Sequence, residues 1–193
     1  MERQPAKVLR PAEVRKLLKH VGGQRYPNRA RVMILLRFRA GLRACEISGL
    51  RWSMLLASNQ TVGSQITITR SIAKGQSSRR IPVHPELKTA LVALHKLANK
   101  PTDGPVILSE RKCHMRPGSI VNWFRVAYDA LGLEHCSSHS GRRTFITAGA
   151  RLLAKSGGSL RDIQELAGHR SLTTTERYIE GDRDAQRRLI NLL

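Results

Sequence analysis

The chain has 193 residues, 40% of them hydrophobic, which suits a single domain with an ordinary buried core. Its 34 Lys and Arg against 14 Asp and Glu give a formal charge of +20, a self-repulsion that a nucleic-acid partner or a solvated basic surface relieves. No apolar run approaches a membrane span, Met1-Glu2-Arg3-Gln4 does not open a signal peptide, and Cys45, Cys113 and Cys136 are too few and too irregular for a disulfide framework, so a cytoplasmic protein is expected.

In chain order, Pro11-Ala-Glu-Val-Arg-Lys-Leu-Leu predicts a first helix with proline in its opening turn. A second helix over about 28–40 carries Val32, Ile34, Leu35, Leu36 and Phe38, and Gly41 stops it. A third follows over 43–50. The period then changes to two: 65–72 alternates as a strand, Lys74-Gly-Gln-Ser-Ser is a turn, and Arg79-Arg-Ile-Pro-Val is the returning strand. Lys74 therefore sits near the tip of a β-hairpin. Further helices are predicted near 85–98, 117–131, 139–155, 159–167 and 172–180, with a C-terminal piece running to Leu193 and Val106-Ile-Leu as a strand or extended stretch. The fold class is mainly α with a small antiparallel β-sheet (α+β), in a single domain over 1–193.

Several residues in these elements carry chemistry. In His139-Ser-Gly-Arg142-Arg143-Thr144, helical spacing lets His139 and Arg142 face one target while Arg143 points elsewhere. An imidazole beside a guanidinium suits a phosphate, although a basic helix end looks the same. In Gly41-Leu-Arg43-Ala-Cys-Glu46, Arg43 follows a helix stop and Glu46 lies three residues on; this is either a surface ion pair or an arginine aimed at an anion and steadied by the carboxylate. Lys74, His169 after the helix-stopping Gly168, and Tyr178 complete an ordered set. Tyr178 stands among Thr175, Glu176, Arg177 and Glu180, a polar setting for a ring that contributes when buried. Cys113, His114, His135, Cys136 and His139 match no zinc-ligand spacing, and no metal site is expected.

Four blocks, GLRACEISGLRW, AKGQSSRRIPV, HSGRRTFITAGA and LAGHRSLTTTERY, occur in the order in which the tyrosine recombinases, the phage-integrase family of site-specific DNA recombinases, carry theirs. The chain resembles that family from Pro11 to its tail. The resemblance implies the tyrosine-recombinase catalytic-domain fold, with Arg43, Arg142 and His169 stabilising the scissile phosphate, Lys74 as general acid, His139 as general base, Glu46 in support and Tyr178 as nucleophile. It further implies double-stranded DNA as partner, a tetramer on DNA, and no cofactor, metal or small-molecule substrate. Members more often have leucine where Gly141 and Ala167 stand, and glycine within a helix costs about 1 kcal/mol against alanine. The family's N-terminal core-binding domain is expected to be absent. The tail gathers Ala185, Leu189 and Leu192 on one helical face, expected either to fold back or, as the resemblance favours over 183–193, to dock into a neighbouring subunit. An alternative takes 160–181 as a helix-turn-helix and the protein as a basic regulator without cleavage activity.

Overall fold

The computed structural model describes residues 6–73, 78–178 and 190–191. The elements run α1 (Pro11–Val21), α2 (Pro27–Phe38), α3 (Ala44–Gly49), a 3-10 turn (Trp52–Met54), β1 (Gln65–Ile68), β2 (Arg79–Pro82), α4 (Pro85–Leu97), α5 (Pro117–Asp129), α6 (Ser140–Ser156), α7 (Leu160–Ala167) and α8 (Leu172–Glu176). Proline opens α1, α2, α4 and α5, where its fixed φ suits the first turn and its missing N–H is not needed. The mainly α class with one small antiparallel sheet is what the sequence predicts.

The core is built around α2, whose residues Val32 to Phe38 are all buried. Helices α1, α4 and α6 pack against it, and α3 packs on α5. Over that stretch the helix has no solvent face, so even its arginine at position 37 is enclosed. A smaller apolar cluster of Ile146, Ile163 and Ala167 joins α6 to α7, with Phe145, Leu153 and Tyr178 packed on it.

The two strands pair antiparallel, with Ile66 opposite Ile81 and Ile68 opposite Arg79. β1 is shorter than predicted: after Ile68 the amides of Ile72 and Ala73 both turn back to the Thr69 carbonyl. That turn lays Ile72 against Gly49, where a Cβ would lie 2.4 Å from its Cγ2. The apolar residue that prolongs the alternation is thus a packing contact for α3. Val106-Ile-Leu forms no strand: Val106 and Ile107 are bends between two isolated bridges, Pro105 to Arg51 and Leu108 to His114. α8 ends at Glu176, short of the predicted 180, and the tail face formed by Ala185, Leu189 and Leu192 lies outside the described residues. No described helix is long and apolar enough to cross a membrane.

Candidate active site

Glu46 is the anchor. In the first turn of α3 its carboxylate accepts from the Arg43 backbone N–H at 2.8 Å and from the Arg43 guanidinium at 3.3 Å. The surface-pair alternative fails, because Glu46 is 0% exposed. Its stronger partner is Arg79 of β2, whose Nη1 and Nη2 donate to Oε1 and Oε2 at 2.8 and 2.9 Å, a bidentate fork. Burial opposes the Glu46 charge, but the hydrogen bond and charge of Arg79, with help from Arg43, outweigh it and hold the carboxyl below its usual range. The sequence placed Arg79 only in a strand. Period two puts it on the same face as the buried Ile81, and an arginine on an inward strand face requires a carboxylate or carbonyls to meet it.

Arginines also converge on the end of α7. Arg79 Nε donates to the Leu166 carbonyl at 3.0 Å, Arg142 Nη2 to that of Ala167, and Arg43 Nη2 to that of Gly168 at 3.4 Å. The last carbonyls of a helix lack intrahelical donors and sit at the negative end of its dipole, so three cations there are favoured. Arg142 is 4% exposed and donates through Nη1 to the Gly41 carbonyl at 2.7 Å, tying the loop before α3 to the end of α7. Burial first, and then the charge of Arg43, lower its pKa to about 9, which still leaves it protonated near neutral pH. Three guanidinium groups share one carboxylate. The site keeps an excess of positive charge in a partly dry setting, the electrostatics that favour an entering anion.

Two glycines make the loops fit. Gly41 has φ +65°, and a Cβ there would fall 2.4 Å from the Phe145 ring. Gly168 has φ +62°, with its Cβ position 2.8 Å from Arg79 Nη1. Both take the left-handed conformation that glycine adopts without strain, in space that any side chain would contest.

Beyond Gly168 comes His169, whose Nδ1 lies 2.9 Å from the buried Thr175 Oγ1. Its ring stacks on that of Tyr178, centroids 5.6 Å apart and planes 18° from parallel. Burial first, then the positive charges of Arg142, Arg43 and Arg79, push its pKa down to about 4, so the imidazole is neutral at pH 7. Tyr178 is half-buried, its ring on the Ile146–Ile163–Ala167 cluster and its carbonyl accepting from Thr147 Oγ1 at 3.2 Å. The polar setting of Tyr178 in sequence conceals partners supplied by α6 and α7. Arg143 does not point away as helical spacing suggested; its guanidinium lies 5.7 Å from the Tyr178 ring centroid, within cation–π range.

Of the predicted residues, Arg43, Glu46, Arg142, His169 and Tyr178 surround one region through these contacts, and Arg79, Thr175 and Arg143 join them. His139 is exposed at the cap position of α6, three residues before Arg142. Lys74 lies outside the described residues. Among the described residues no three His, Cys, Asp or Glu side chains gather as a metal site.

The chain is similar to tyrosine recombinase XerC of Methylobacterium nodulans, 33% identical over 156 residues that cover 78% of this chain and 44% of that protein. It spans about half the length of the curated relatives it matches. A crystal structure of XerA recombinase superposes with TM-score 0.74 at 20% identity, covering 100% of this chain and 65% of that one. XerH site-specific recombinase bound to difH substrate in a pre-cleavage complex gives TM-score 0.71 at 20% identity, covering 98% and 54%. These two structures share the fold. The helix-turn-helix regulator reading falls: α8 is only 5 residues long, and the end of α7 with the Gly168 that follows it is bound by arginines from β2, from α6 and from the residue before α3 rather than being free to present a recognition helix. Residues 7–184, which contain the arginine clamp, the His169 turn and Tyr178, match the Phage integrase family, and the chain belongs to that family.

Proposed function

We propose that this protein is a site-specific DNA recombinase, an integrase or invertase that cleaves and rejoins strands through a 3′-phosphotyrosyl link on Tyr178. The observation that carries this reading is the stack of Tyr178 on His169, just after a helix whose last two carbonyls, and that of Gly168 beyond it, are held by Arg79, Arg142 and Arg43. A tyrosine held beside an unbalanced cluster of guanidinium groups suits phosphodiester attack, since a free phenol with a pKa of about 10 needs a positive field and a base. The phenolic oxygen attacks phosphorus and its proton passes to His139. An oxygen–phosphorus bond forms as the bond from phosphorus to the 5′ oxygen breaks, and Lys74 protonates the leaving oxygen. Arg43, Arg142 and His169 meet the charge on the non-bridging oxygens. The tautomer in which Thr175 Oγ1 donates to Nδ1 leaves the proton of neutral His169 on Nε2, where it serves as a donor. Attack by the 5′-hydroxyl of another strand reverses the step, and neither metal nor nucleotide enters. Double-stranded DNA is the partner, a reading supported by the structurally similar Tn1549 transposon integrase in complex with transposon right end DNA. The working unit is a tetramer on DNA, in the cytoplasm of a bacterium or of the host of a mobile element, with the segment 183–193 exchanged between subunits.

The test is a pool of randomised, nicked duplexes incubated with the protein in EDTA, followed by SDS, nuclease digestion and mass spectrometry. A nucleotide remnant on Tyr178, absent from Tyr178→Phe, is expected. A remnant on any other residue, or one that requires Mg²⁺, overturns the assignment.

A further inference from the structure

Arg37 is a charged residue in the middle of the most buried helix. It is 2% exposed, and among the described residues no carboxylate forms an ion pair with it. Its guanidinium lies 5.5 Å from the Phe124 ring centroid, and its Nε lacks a hydrogen-bond partner among the described residues. A cation kept in apolar surroundings costs several kcal/mol, and an aliphatic side chain would fill the same volume without that cost. What Arg37 gains is specific: Nη1 donates to the Leu42 carbonyl at 2.7 Å, and Nη2 donates to the Ser138 carbonyl. Those residues immediately precede Arg43 and His139. Its stem passes over Gly141, which immediately precedes Arg142; a Cβ at Gly141 would lie 2.5 Å from Arg37 Cγ and 3.0 Å from the Phe38 ring. The glycine that looked like a helix-propensity penalty is therefore the space through which the arginine passes.

We infer that Arg37 is a positioning residue that, through the gap at Gly141, straps together the segments carrying Arg43, His139 and Arg142. The role rests on the recombinase reading for its consequence but not for its geometry. Without the strap, the Leu42 and Ser138 carbonyls lose their donor, and the loop before α3 and the start of α6 move independently. Misplacement of a phosphate-binding group by about 1 Å costs up to about a hundredfold in rate.

The experiment uses the full chain as Arg37→Met, Arg37→Lys, Gly141→Ala and the double variant Arg37→Met/Gly141→Ala. Amide hydrogen exchange is read in the free protein, and DNA affinity and adduct formation are read on the randomised nicked pool. Arg37→Met, which fills the volume without donors, is expected to keep its melting temperature and DNA affinity. Exchange should rise in 40–46 and 137–143 but not in 85–97, and adduct formation should slow about ten- to a hundredfold. Gly141→Ala, which pushes the arginine stem aside, should slow the reaction similarly, and Arg37→Lys should recover part of the rate. Should Arg37→Met fail to fold, Arg37→Lys and Gly141→Ala carry the same two readouts. Wild-type exchange and rate in Arg37→Met, or recovery of rate in the double variant, makes Arg37 a space-filler and overturns the inference. If the wild type forms no adduct, the recombinase reading fails, and the exchange pattern alone decides the strap.

Discussion

At residue scale, His169 shows how the site manages charge. Its pKa near 4 has two physical sources, burial first and three arginines second, and only the second is removable. An anion bound between the arginines screens them, so the imidazole pKa should rise when duplex DNA binds. NMR titration of the His169 ring should show a value near 4 in the free protein and an upward shift in the complex; an unperturbed midpoint in the free protein would sink the argument. The sign for stability follows from the lowered pKa. Above about pH 6.5 both states hold a neutral imidazole and the contribution is fully present. Between about 6.5 and 4 the unfolded chain takes up a proton that the folded chain refuses, so stability falls with pH in that window. His169→Gln should flatten that part of the pH–stability curve. Arg43 and Arg142 separate at this scale too. Arg43→Ala should lose about 3 kcal/mol of transition-state stabilisation while keeping DNA affinity. Arg142→Ala should also lower the melting temperature, since it leaves the buried Gly41 and Ala167 carbonyls without their donor. Equal losses of binding and cleavage for Arg43→Ala would make it a docking residue.

At the scale of elements, the hairpin and α7 form one mechanical unit through Arg79. That side chain is 7% exposed and joins β2 to α3 through Glu46 and to α7 through Leu166. Removing one partner of a buried ion pair costs about 3–5 kcal/mol, because the other charge stays buried. Arg79→Ala should therefore drop the melting temperature sharply. Arg79→Lys should not restore it, as an ammonium cannot make the two parallel bonds. A variant melting with the wild type would show that Glu46 is held by Arg43 alone. The C-terminus of α7 illustrates why an element's role is not local. Its own sequence supplies Ser159 and Asp162 as a capping pair and Gly168 as a stop. The donors for its last carbonyls, and for that of Gly168 beyond it, come from β2, α6 and the residue before α3.

At the scale of the molecule, the formal charge of +20 divides into two populations. Arg37, Arg79 and Arg142 are spent inside, while Arg10, Arg80, Arg116, Arg151, Arg161, Arg170 and Arg177 remain exposed. On the recombinase reading the exposed set would meet the DNA backbone, and neutralising phosphates with it would release counterions. DNA affinity should fall steeply with salt, as a straight line in log K against log salt. Substitution of a single exposed arginine should reduce the slope by about one. A flat response between low and physiological salt would show that these arginines do not lie on the backbone.

The order of residues alone carries the class of fold, most helix positions and several of the side chains that meet at the site. Prolines and glycines punctuate the helices, the change of period marks the hairpin, and Arg43, Arg142, His169 and Tyr178 stand in legible blocks. It also determined Glu46, though only as a partner of Arg43, because a three-residue spacing is visible in a string and a contact with a strand thirty-three residues away is not. Tertiary structure alone decided that Arg79 is the chief partner of Glu46, that Thr175 holds His169, that Arg143 turns toward Tyr178 and that Gly141 makes room for Arg37. Each of these is a meeting of side chains from different elements, fixed by how closely helices and strands approach. Local propensity and periodicity report which way a side chain faces on its own element; only packing decides what it finds there.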